Sequence, residues 1–223
     1  MELREYLAIR RAYNLVRQAM PTDERLTFVE LAILCRLDVL DRPMNTSEIA
    51  EYQGALRPTM THRTKHLAEL GLIERSKGST DRRNVVCSIT GEGKALIREI
   101  GAQVCTVLRS GSVLTRTTPA RIIHYVNAMG SLICMSSDLV ILGIVQAPEG
   151  SSTVSDLVAT LGLLQPTVSM SVSTLASEGL VYRLQSEEAS TRSAGIALTE
   201  AGQAHADELI AGIRALVVHR KTS

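Results

Sequence analysis

Asn45–Leu72 reads NTSEIAEYQGALRPTMTHRTKHLAELGL, and its punctuation dictates two short helices joined by a turn. Asn45 followed by Glu48 is a capping box, in which each side chain satisfies a backbone N–H at the other end of the first turn. Gly54 suits the turn, and Pro58 falls in the first turn of the next helix, where a missing N–H costs nothing. From Pro58 to Leu70, Met60, Thr64 and Leu67 form one inward stripe. The opposite face presents Pro58, His62, Lys65 and Glu69, flanked by Thr59, Thr61 and His66. Gly71 then suits a left-handed helix end.

Working outward, residues 26–40 carry Phe28, Leu31, Ile33, Leu34 and Leu37 at helical spacing. Downstream, Leu72–Arg75 begins a strand, Lys77–Arg83 is a polar tip containing Gly78, and Asn84–Ile89 returns as a second strand. Thr90-x-x-Gly93 opens a long helix to about Ser110. Helix, helix, turn, helix and a two-stranded wing make a winged helix-turn-helix.

The pattern occurs twice. Leu31–Arg75 aligns without a gap on Leu139–Arg183, and 13 columns are identical, among them Ser47/Ser155, Gly54/Gly162, Pro58/Pro166, Gly71/Gly179 and Arg75/Arg183. After a one-residue insertion, Arg83/Arg192, Thr90/Thr199 and Gly93/Gly202 continue the match. The expected fold is therefore mainly α with small β-wings, as two tandem winged units sharing a helical region. Unit one spans 1–110, with core 26–95 and flanking helices 3–20 and 90–110. Unit two spans 111–223, with core 136–202 and flanking helices 120–135 and 199–218. Arg109–Pro119, rich in Ser, Thr and Gly, is the expected linker. The flanking helices need a partner for their apolar faces.

The 223 residues are 45% apolar and 21% charged, ordinary for a globular chain, with a formal net charge of +1. One Phe, five Tyr and no Trp argue against a stacking platform for single-stranded nucleic acid. The longest apolar run, Leu139–Val145, is far short of the roughly 20 residues of a membrane span. The N-terminus lacks the order of a signal peptide, so a cytoplasmic location is expected. Cys35, Cys87, Cys105 and Cys134 sit within apolar segments and read as buried free thiols.

The near-neutral total conceals an asymmetry. Arg57–Arg83 holds seven basic residues (Arg57, Arg63, Lys65, Arg75, Lys77, Arg82, Arg83) against Glu69, Glu74 and Asp81. The matching Gln165–Arg192 holds only Arg183 and Arg192 against Glu178, Glu187 and Glu188. Met170, Ser171 and Ser173 replace His62, Arg63 and Lys65. Phosphate neutralisation supplies most non-specific affinity for DNA, so copy one is the expected reader and copy two a degenerate mate.

Ser47-Glu48-Ile49-Ala50, Pro58-Thr59-Met60-Thr61-His62, Leu67-x-x-x-Gly71-Leu72-Ile73, Asp81-Arg82-Arg83 and Ile89-Thr90-x-x-Gly93 together resemble the MarR family of bacterial transcription regulators. The two-copy chain is also similar to tandem members of the staphylococcal accessory regulator family. The resemblance implies double-stranded DNA binding, dimerisation through the flanking helices and, in many members, a small-molecule pocket beneath them. It further implies that Asp81 pairs with Arg83 to shape the wing and frees Arg82 to reach DNA.

The residues at the start of the second helix are placed to meet base edges in a major groove. Thr59, Thr61 and His62 are expected to contact bases or phosphates, Arg57 and Lys65 phosphates, and Lys77, Arg82 and Arg83 the backbone or an adjacent minor groove. Tyr13, Arg17 and Cys105 are candidates for an effector pocket. His62 and His66 have the spacing of a helical zinc site, but Arg63 stands where the needed Glu would be. No metal, cofactor or catalytic pair is expected. A single chain imitating a dimer and a homodimer of tandem chains both fit, and a tandem winged-helix protein-interaction module is the alternative outside DNA binding.

Overall fold

In the computed structural model, which describes residues 1–77, 85–184 and 195–219, helix α1 spans Leu3–Ala19. Helix α2 (Phe28–Leu40) opens at Thr27 with a full capping box, in which Thr27 and Glu30 bond one another's backbone N–H. Strand β1 (Met44–Asn45) leads into α3 (Thr46–Tyr52), whose cap is the expected Asn45–Glu48 box. Helix α4 (Arg57–Glu69) follows the turn, then strands β2 (Ile73–Lys77) and β3 (Val85–Ile89) and helix α5 (Gly91–Arg109). The second half repeats this order as α6 (Pro119–Met129), α7 (Ser136–Val145), β4 (Ser151–Ser152), α8 (Val154–Leu161), α9 (Gln165–Ser177), β5 (Val181–Arg183), β6 (Ile196–Leu198) and α10 (Glu200–Ala215).

Each half carries a three-stranded antiparallel sheet, in the orders β1-β3-β2 and β4-β6-β5. A two-stranded wing understates this. Met44 pairs with Cys87 and Ser151 with Ala197, so a two-residue strand ahead of α3 or α8 joins the returning wing strand. Two residues are too few to show an alternating pattern, which is why the strand left no mark in the sequence.

The duplicated sequence folds into duplicated geometry. Gly71 and Gly179 end α4 and α9 with φ of 71° and 73°, a left-handed conformation that a side chain resists. Thr90 and Thr199 each cap the following helix and donate the hydroxyl back to Gly71 or Gly179, at 2.8 and 2.7 Å. Three residues later, Gly93 and Gly202 lie so close to the Leu72 and Leu180 carbonyls that a Cβ would collide with backbone.

The chain divides into two compact bodies, and the division differs from a cut between 110 and 111. Among the described residues, one body is Val16–Ile133 with residues 216–219; the other is Cys134–Ala215 with Met1–Leu15. The physical reason lies in the flanking helices, which have exchanged halves. Helix α6, from the second half, packs on α2 and α5 of the first, and the Tyr52 hydroxyl at the end of α3 donates to the Asn127 carbonyl. Most of α1 belongs with the second core: Arg11 Nε donates to Ala159 O and Asn14 Nδ2 to Leu161 O, both at 2.9 Å, at the last turn of α8. Buried Arg10 donates to the Cys134 carbonyl at 3.3 Å.

Candidate nucleic-acid interface

Helix α4 sorts its side chains as its sequence demands. Met60, Thr64 and Leu67 are buried, and the Thr64 hydroxyl donates to the Met60 carbonyl at 2.8 Å, so burial leaves it no unmet donor. Arg57, Pro58, Thr59, Thr61, His62, Lys65 and Glu69 are exposed. Thr61 Oγ1 donates to Arg57 O at 3.1 Å. Lys65 pairs with Glu69 at 3.4 Å across one helical turn, an exposed bridge that contributes at most a few tenths of a kcal/mol.

Two basic residues on this helix are anchored to the protein instead. Arg63 Nη1 lies 3.4 Å from Gln53 Oε1, and burial holds its pKa below the usual value against the opposing pull of the Glu30 carboxylate. Gln53, itself buried, donates to the Val29 carbonyl, so Arg63 is tied through α3 to α2. His66 Nδ1 meets buried Glu30 Oε1 at 2.7 Å. A charge count over the sequence assigns Arg63 to the reading surface, whereas the fold uses it as a strut.

Lys77 ends β2 and is exposed. Asp81, Arg82 and Arg83 lie outside the described residues. Thus Arg57, Thr59, Thr61, His62 and Lys65 share one exposed helical face.

The corresponding face of the second half is unlike it. Helix α9, Gln165–Ser177, contains no charged residue. Met170, at the position of His62, is 72% exposed, while Ser171, at the position of Arg63, is buried.

The proposed pocket residues fall in separate settings. Tyr13 and Cys105 are both buried, in different bodies, and Arg17 Nε donates to the Leu26 carbonyl at 2.7 Å. A cleft of roughly 840 Å³ opens elsewhere, within the first body, between the end of α2, the first half of α5 and the start of α6. Lys94, Arg98, His124, Asp38 and Asp41 line it. Lys94 is held by Asp41 at 3.3 Å, and His124 Nδ1 is buried with no hydrogen-bond partner among the described residues. His124 stands on helix α6 between Ile123 and Tyr125. Its position on an apolar helix gave no signal of the opening beside it. Among the described residues, no group of His, Cys, Asp and Glu is arranged to hold a metal ion. No described helix is long and apolar enough to cross a membrane.

A helix-turn-helix with an antiparallel wing, presenting a polar and basic second helix, places this chain in the winged helix-turn-helix class. Residues 26–85 match the model of the MarR family. Residues 141–183 match that of the bacterial regulatory proteins of the arsR family, a second helix-turn-helix in the second half. The chain is 33% identical over 90 residues to the HTH-type transcriptional regulator FarR of Neisseria gonorrhoeae. That match covers 40% of this chain and spans 58% of FarR's length. Similar solved structures include YusO of Bacillus subtilis (21% identity, TM-score 0.38, 55% of this chain and 80% of that one). BpsR of Bordetella bronchiseptica, whose DNA binding is described as regulated by 6-hydroxynicotinic acid, is similar at 22% identity and TM-score 0.38, over 48% of this chain and 83% of its own.

Proposed function

We propose that this protein is a sequence-specific double-stranded DNA-binding transcriptional regulator, with the first half as reader and the second as a degenerate mate. The observation that carries this reading is the contrast between α4 and α9. One presents Arg57, Thr59, Thr61, His62 and Lys65 outward, and the other, on the same scaffold, presents no charge. A helix of this kind fits a major groove, where its first-turn side chains meet base edges and its cations meet phosphates. Lys77, exposed at the end of β2, adds to the cationic surface; Arg82 and Arg83 are assigned DNA contacts, and Asp81 a wing-shaping role, from the sequence resemblance alone.

The exchange of α1 and α6 supports a single chain acting as its own dimer. Each core is completed by a helix from the other half of the sequence, the arrangement two identical protomers would otherwise have to supply. The cleft beside His124 is of a size suited to a small-molecule effector. One of its walls, α6, also grips the helix-turn-helix through Tyr52 and Asn127.

The test is a fluorescence-anisotropy titration of the full chain on duplexes selected from a randomised library, against scrambled duplex. Specific binding with a steep salt dependence is expected. Replacing Lys65 and Arg82 by Gln should lower affinity at least tenfold and flatten the salt slope by about one ion per contact. Replacing Ser173 and Thr191 by Ala should change it less than twofold. Equal weak binding to all duplexes would favour a protein-interaction module, and equal losses from both pairs would make the second half a reader too.

A further inference from the structure

Helix α4 begins with a residue that serves the helix poorly. The N-cap favours Ser, Thr, Asp or Asn, whose side chains bond the first-turn N–H groups; leucine ranks among the worst residues there. Leu56 nevertheless occupies this N-cap, makes no side-chain cap bond and is 77% exposed. It is more exposed than any other large apolar side chain among the described residues. The fold therefore gains neither a cap nor buried apolar area from it. Its surroundings are the reading face itself: Arg57, Thr59 and Thr61 follow within five residues and are exposed. Leu164 repeats the cap on α9, but no charged residue of that helix is present to hold it against a phosphate backbone.

The thymine C5-methyl is the apolar mark on a major-groove edge, and an aliphatic side chain recognises it by excluding water. We infer that Leu56 is a specificity-determining residue that packs on a thymine methyl when α4 enters the groove. This inference rests on the proposed DNA-reading role of α4 and adds which base one position selects and why. Burying one methyl group corresponds to about a fourfold change in affinity.

The experiment uses the full chain and a duplex selected from a randomised library, with each thymine replaced in turn by deoxyuridine, which lacks only the methyl. The wild-type protein should lose about fourfold at one thymine of the bound site. Leu56→Ala and Leu56→Ser should bind the thymine and uracil forms of that position equally, with other positions responding as in wild type. Leu56→Ser supplies a proper cap, so its thermal midpoint should rise by about 2–4 °C even as methyl discrimination disappears. A lower midpoint in Leu56→Ser, or thymine preference persisting in both variants, would overturn the inference. So would a wild-type protein indifferent to every methyl. Failure to select any duplex would instead defeat the DNA-reading role itself, a distinguishable result that takes this inference with it.

Discussion

Glu48 shows how much one side chain can do in a helix of seven residues. The Asn45 backbone N–H it accepts, at 2.7 Å, is the main reason its carboxyl titrates below the usual range, with Arg42 assisting from 3.0 Å. A depressed carboxyl contributes stability above its unfolded pKa and loses it as pH falls through the lower folded value. Urea midpoints followed from pH 6 to pH 2 should therefore decline less steeply in Glu48→Gln than in wild type. The four cysteines behave in the opposite sense. Burial pushes the thiols of Cys35, Cys87, Cys105 and Cys134 up, so little thiolate is present at neutral pH. A thiol reagent at pH 7.5 should leave native protein unlabelled over minutes and modify four groups in denaturant. Fast labelling of any one would place that cysteine in a more open setting. These roles were readable from the residues: the capping box by its spacing, the thiols by their apolar neighbours. Arg63 was not, because an arginine reads as a surface charge until Gln53 is brought beside it by the α3–α4 turn.

At the scale of elements, α5 and α10 start against the chain that leaves α4 and α9, at approaches that tolerate no added atom. Gly93→Ala and Gly202→Ala each drive a methyl into a backbone carbonyl, which should cost about 1–3 kcal/mol by chemical denaturation. The two variants should be similar, since Leu72 and Leu180 stand in the same relation to their glycines. Tyr52 links α3 to α6 by one hydroxyl–carbonyl bond, and its ring lies under the Arg36 guanidinium at 4.7 Å. Tyr52→Phe keeps the ring contact and removes the bond, so a loss of about 1 kcal/mol is expected. Helix existence, caps and the inward stripe of α4 were legible because periodicity and capping are local properties. The strands β1 and β4 were not, since their two residues become strands only by pairing with a distant one.

For the whole molecule, the exchanged helices make the halves interdependent. A fragment of residues 1–110 retains α1 but lacks Ala159 and Leu161, whose carbonyls receive Arg11 and Asn14, and it lacks α6 from its own core. Such a fragment should show much reduced helicity by circular dichroism, and mixing it with residues 111–223 should restore the signal. Independent folding of either fragment would show that the exchange is dispensable. The proposal that a single chain acts as its own dimer predicts that the intact chain sediments as a 24.2 kDa monomer, and a species of twice that mass would favour a homodimer of tandem chains.

Local patterns in the chain specify the two winged helix-turn-helix cores, their duplication, the helix whose outer face is polar and basic, and the loss of charge from its counterpart. All of these rest on interactions between residues a few positions apart, or on comparing the chain with itself. Long-range packing sets which core each flanking helix completes, turns Arg63 and His66 inward to Gln53 and Glu30, and opens a cleft beside His124. An amphipathic helix specifies that it must bury its apolar stripe but not against what. Its partner is chosen by packing and by backbone acceptors more than a hundred residues away, which no local pattern encodes.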